Sequence, residues 1–123
     1  MGDVTKVQLE RLPLPHTGLL QVDIHLSAQI NMTATMARRR VSRVVISEIG
    51  NLLYGGEPSL VVGDHIQWRV PVMLAYPDTG SVGEVGALDV DVETGMVLAS
   101  PERLQEIADR AHHLAQRTSH SPA

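Results

Sequence analysis

His65-Ile-Gln-Trp-Arg-Val-Pro-Val-Met-Leu-Ala-Tyr-Pro-Asp-Thr-Gly80 runs directly into Ser81-Val-Gly-Glu-Val-Gly-Ala-Leu-Asp-Val-Asp-Val-Glu-Thr-Gly95 and then Met96-Val-Leu98. Ile66, Trp68, Val70, Val72, Leu74 and Tyr76 recur at every second position, the period of a strand with one buried face. Tyr76-Pro-Asp-Thr-Gly80 has turn chemistry, so the chain predicts a hairpin. Val82 to Val92 is the returning strand, with Gly83 and Gly86 as bulge positions. Glu93-Thr-Gly95 turns the chain into a short strand, Met96-Val-Leu98. Pro71 cannot donate to a ladder, which predicts an edge position or a bulge.

Just upstream, Leu60-Val-Val62 predicts a short strand, and Gly63-Asp64 predicts a two-residue type II′ hairpin turn. Before that the period changes. From Ala37, apolar residues fall at Val41, Val44, Val45, Ile49, Leu52 and Leu53, which is helical spacing. Thr33 or Thr35 is the expected N-cap. Tyr54-Gly-Gly56, with Pro58 after it, is the expected helix end, leaving Gly50 inside the helix. Leu20 to Met32 alternates again: Val22, Ile24, Leu26, Ala28, Ile30 and Met32 share one face, which predicts a half-buried strand.

The ends divide the chain into three parts. Residues 1–18, with Leu12-Pro-Leu-Pro15, read as an extended leader. Residues 19–117 read as a single α+β domain, and residues 118–123 as a polar tail. Ser100-Pro-Glu102 opens a C-terminal helix with an N-cap, a proline at the first position and an acid facing the positive end of the dipole. Leu104, Ile107, Ala108, Ala111, Leu114 and Ala115 form its apolar stripe. The expected fold is α+β: an antiparallel sheet of about four strands, one long helix packed across it, and a C-terminal helix.

Composition narrows the chemistry. The chain has 123 residues, 43% apolar and 20% charged, with no Phe and no Cys. A core of Val, Leu, Ile, Met and Ala follows. Without cysteine there is no disulfide, thiol catalysis or thiolate-ligated zinc. The N-terminal residues lack the pattern of a signal peptide, and no apolar run nears the about 18 residues of a membrane helix. A soluble cytoplasmic protein with no membrane partner is the expectation. The formal net charge is −4, which speaks against a dedicated nucleic-acid binder.

Val85-Gly-Ala-Leu-Asp-Val-Asp-Val-Glu-Thr-Gly-Met-Val-Leu98 resembles the end of a PepSY domain, where a Val- and Asp-rich strand turns through Thr-Gly into a short strand. A helix followed by two long antiparallel strands is likewise similar to PepSY and, more loosely, to cystatin-like folds. The resemblance spans about residues 34–98. Residues 37–95 as a whole look like a family of small bacterial proteins without an established activity. PepSY domains are usually exported and have been proposed to inhibit peptidases or to meet envelope partners. This chain differs in its N-terminus, its strand 20–32 and its last helix. The resemblance brings no catalytic residues with it.

Candidate chemistry is sparse. Asp89, Asp91 and Glu93 alternate before Gly95, but lack the twelve-residue calcium-loop pattern. With Leu88, Val90 and Val92 inward, they read as the solvated face of a strand. Arg38, Arg39, Arg40 and Arg43 cluster near the positive end of the long helix, where cations are locally unfavourable. They could meet an acidic protein surface or phosphates, or be neutralised by the acids of the 84–93 strand. No aromatic residues interleave them for base stacking. His112 and His113 are adjacent and diverge around the helix, so they do not chelate together. No nucleophile elbow, Ser-x-x-Lys or phosphate loop occurs. Glu48 and Glu57 could serve as an acid–base pair only if the fold joined them. Trp68 and Tyr76 sit in the apolar register, as packing residues or as anchors on an open sheet.

The chain therefore reads as a non-enzymatic interaction or regulatory module, with no catalytic, metal or cofactor residues. Its partner is a second copy or another protein. The candidate surface is Arg38, Arg39, Arg40, Arg43, Trp68 and Tyr76. The other reading is a small-molecule binder or minor enzyme using a cleft between helix and sheet.

Overall fold

The structure is a computed structural model that describes residues 6–10, 17–19, 21 and 27–118. Its elements in chain order are β1 (Lys6–Leu9), α1 (Ala34–Glu48), β2 (Leu53–Gly55), β3 (Ser59–Val62), β4 (Ile66–Tyr76), β5 (Gly80–Asp91), β6 (Val97–Leu98) and α2 (Pro101–Thr118). The fold is α+β, as expected, but the sheet is mixed and has six strands. The expected count of about four missed β1 and β2. The strand order is β1-β3-β4-β5-β6, and β1 runs parallel to β3. Within the predicted leader, Lys6–Leu9 thus forms a sheet edge.

The β4–β5 hairpin is the axis of the molecule. Tyr76 pairs with Gly80 across a three-residue turn, and Gly80 takes a φ of +78°. Pairing then slips twice, between Val72 and Met73 and between Leu74 and Ala75. Val85 and Val82 of β5 are the extra residues, next to Gly86 and Gly83. Both glycines thus lie at bulges, where the sequence placed them. Gly86 has φ +156°, and a Cβ there would stand 2.7 Å from Ile107 Cγ1. The bulged backbone is what lets α2 approach the sheet.

Alternation along β4 separates two faces. Trp68, Val70, Val72 and Leu74 join Leu88, Val90 and Val92 in one core with Ala37, Val41 and Val45 of α1 and Ile107 of α2. Both helices therefore cover the same face. Each fully buried aliphatic side chain contributes about 1.5–3 kcal/mol. The other face carries Gln67, Arg69, Pro71 and Met73, all half-buried.

Several local expectations need correction. Helix α1 starts at the predicted N-cap, where Thr33 Oγ1 accepts from Met36 N at 3.1 Å. It ends earlier than predicted, at Glu48, with Ile49 as C-cap. Gly50 lies outside the helix. Leu53–Gly55 instead pairs with Val72–Leu74, a strand position that buries Leu53 and Gly55. Residues 27–32, the end of the predicted strand 20–32, are not in a strand, and residues 20 and 22–26 lie outside those described. Asn31 and Met32 N–H groups both reach Val92 O instead, at 2.9 and 3.1 Å. The β3–β4 connection has three residues, and Gly63 is not among the glycines with positive φ, so the turn is not type II′. Pro71 is in an interior strand. Its missing donor coincides with the break between β2 and β3, where Gly56 N donates to Pro71 O at 2.7 Å. The C-terminal helix starts as predicted, with Ser100 Oγ accepting from Arg103 N at 3.2 Å. Residues 119–123 of the predicted tail lie outside those described.

Candidate interaction surface

The arginine cluster splits into two pairs. Arg38 Nε donates to Gly55 O at 2.9 Å, and Arg40 Nη1 donates to Gly95 O at 2.8 Å. These two fasten α1 to β2 on one side and to the β5–β6 turn on the other. Arg39 and Arg43 have no hydrogen bond or ion pair among the described residues. They project from the outward face of α1 together with Met36 and Ile46, which are 41% and 48% exposed. Thr35, Ser42 and Ser47 form the low ground between them. The arginine side chains wall a shallow depression of about 740 Å³ along this face. Leu52, just past the helix end, is 39% exposed.

The acids of β5 do not neutralise this cluster. Asp89 takes both ends of a fork from Arg69, Nε to Oδ1 at 2.9 Å and Nη2 to Oδ2 at 3.1 Å. Arg69 Nη1 also reaches Glu10 Oε1 at 2.7 Å. One guanidinium thus links the end of β1 to β4 and β5. The hydrogen bonds that Arg69 donates to Asp89, more than any other contact, raise its guanidinium above its already high value. Asp91 folds back on its own turn and accepts from Glu93 N and Thr94 N at 2.8 and 2.9 Å. The Thr94 amide first, then that of Glu93, holds the Asp91 carboxyl below the usual aspartate range. Of the alternating acids, Asp89 therefore belongs to a salt link and Asp91 to a turn cap, and Glu93 is exposed. No group of three or more metal-ligating side chains forms among the described residues.

Trp68 is 7% exposed and its Nε1 donates to Met32 O at 2.7 Å. The structure places it in the core, away from the arginine face. Tyr76 is half-buried at the far end of β4. The space under α1 and the start of α2 is filled by aliphatic side chains, and the helix–sheet cleft that remains, of about 490 Å³, lies between the end of α2 and β5, lined by Glu84, Arg110, His113 and Arg117. Two further clefts of about 570 Å³ each lie on the opposite face of the sheet. Both are lined by Arg69 and Ala87. Lys6, Glu57, Ser59 and Glu84 line one, and Met96, Leu98 and Arg103 line the other. No pattern along the chain signals them, because they depend on β1 and β6 flanking the hairpin. His112 and His113 rings meet edge to face with centroids 6.3 Å apart.

No protein-family model, curated protein or solved structure matches this chain. No helix among the described residues is long and apolar enough to cross a membrane.

Proposed function

We propose that the protein is a non-enzymatic interaction module that docks onto another protein through the outward face of α1. The observation that carries this reading is the division of the arginines. Arg38 and Arg40 have structural partners, whereas Arg39 and Arg43 stand free between exposed Met36 and Ile46. Side chains that hold no part of the fold, arranged as charge flanked by apolar surface, suit recognition. The free edge of β5 suits it less. The outer edge of β5 is unpaired along Gly80–Leu88 among the described residues. It carries two bulges, which spoil the regular spacing that an added strand needs.

Site-specific photocrosslinking tests the reading. A photoreactive residue at Ser47, which is exposed and lines the same depression, should trap one discrete species in extract of the native host. Met36→Asp/Ile46→Asp should abolish that product. The same probe at Asp109, on the outward face of α2, should not trap it. Trapping at both positions, or persistence in the double variant, overturns the proposal.

A second reading, binding of a small polar molecule, draws on the clefts beside Arg69. Ser59 is the buried polar side chain of the described residues, at 8% exposure, and it lines one cleft. Titration with mixtures of polar metabolites, followed by amide NMR, should then shift Ser59, Arg69 and Ala87. No shift at millimolar ligand counts against it.

A further inference from the structure

We infer that the occupant of the α1 face is an acidic amphipathic helix of another protein, with two carboxylates one turn apart between aliphatic side chains. This rests on the docking proposal and adds the chemistry of the partner.

Spacing is the first argument. Met36, Arg39, Arg43 and Ile46 lie at i, i+3, i+7 and i+10, which puts them on one stripe of a helix. At 1.5 Å per residue the stripe is about 15 Å long, with the arginines about 6 Å apart at its centre. The stripe is apolar at both ends and cationic in the middle. A partner helix that repeats this rhythm with opposite charge matches it side chain for side chain. The small side chains of Thr35, Ser42 and Ser47 leave room for a helix axis at the usual 8–10 Å.

Charge decides between occupants. No acid occurs from Ala34 to Ser47. A two-fold pairing of α1 with its own copy would bring Arg39 and Arg43 towards the same cations, an unfavourable like-charge contact. Head-to-tail association meets a different obstacle. The outward face of α2 offers Glu102, Glu106 and Asp109, but no large apolar residue of α2 is exposed. Met36 and Ile46 would find no counterpart there. Nucleic acid would meet the short patch of Arg38, Arg39, Arg40 and Arg43 on a chain of net charge −4, with no aromatic side chain interleaved among them for stacking. An acidic helix with aliphatic flanks satisfies both halves of the stripe.

The test uses the full chain and a synthetic helical peptide containing Leu-x-x-Glu-x-x-x-Glu-x-x-Leu, followed by amide NMR. Shifts should cluster on residues 35–47 and Leu52. Replacing both peptide Glu by Gln, or making Arg39→Ala/Arg43→Ala in the protein, should each weaken binding about tenfold, or 1.4 kcal/mol. Replacing both peptide Leu by Ser should weaken it comparably, and circular dichroism should show the protein variant folded. Shifts elsewhere, equal binding of the Gln peptide, or no shift at millimolar peptide overturn the inference. So does tighter binding of a single-stranded oligonucleotide at the same residues, or a dimer in sedimentation that Arg39→Ala disrupts. If the peptide fails while the Ser47 crosslink succeeds, docking stands and the acidic-helix partner is wrong. If the crosslink fails as well, both fall.

Discussion

Arg38 and Gly55 are joined at two points. The Arg38 guanidinium donates to Gly55 O, and a Cβ on Gly55 would lie 2.8 Å from the Arg38 carbonyl oxygen. Gly55 N meanwhile donates to Ser42 Oγ at 2.8 Å. The backbone of β2 is therefore held by two side chains of α1, and only a residue without a side chain fits so close to the helix. Gly55→Ala should cost about 1–3 kcal/mol, the range for overpacking a filled site. Urea denaturation followed by circular dichroism should show a lower midpoint with an unchanged slope.

The free arginines should behave differently from the engaged ones. Arg39→Ala and Arg43→Ala should leave stability within about 0.5 kcal/mol of the parent, as exposed side chains without partners do. Arg38→Ala should cost about 1–2 kcal/mol, because Gly55 O loses a charged donor. Equal losses from all three in chemical denaturation would contradict the division of the cluster.

Gly86 separates strain from crowding. Gly86→Ala should destabilise both through its left-handed φ and through contact with Ile107. Adding Ile107→Val should recover only part of the loss, since shortening the neighbour leaves the backbone strain. Full recovery in thermal melts would show that crowding alone matters.

The Glu10–Arg69–Asp89 link ties β1 to the hairpin. Glu10→Gln should leave global stability nearly unchanged, as an exposed ion pair is worth about 0–1 kcal/mol. It should nevertheless speed amide exchange at Lys6–Leu9, the strand that this link helps to hold. Hydrogen exchange followed by mass spectrometry reads this directly.

Asp91 sets a pH dependence. Its carboxyl is lowered when folded, so above the ordinary aspartate pKa of about 3.9 its stabilising contribution is complete. As pH falls through the lower folded value, the unfolded chain takes up the proton first and that contribution is lost. Asp91→Asn should make stability fall less steeply below about pH 4. Urea midpoints between about pH 5 and pH 2.5 measure the slope.

The hairpin was legible in the sequence because period two, the Pro-Asp-Thr-Gly turn and the bulge glycines all agree locally. The start of α1 and the whole of α2 were legible for the same reason: caps and apolar spacing coincide. The end of α1 was not. Leu52 and Leu53 continue the helical rhythm, and only pairing with Val72–Leu74 reveals a strand. Nor could Pro71 be placed, because its neighbours β2 and β3 are set by the tertiary fold. The arginine cluster was visible as a run of charge. Its division into two clamps and two free cations needs Gly55 O and Gly95 O in space, and no spacing along the chain encodes those acceptors.

Trp68 is the chain's one tryptophan, and its indole N–H is bonded to Met32 O. The residues around Met32 hang in turn from Val92 O. Indole emission therefore reports the seating of the chain that leads into α1, without any label. A red shift that precedes loss of helix signal would time the release of that connection.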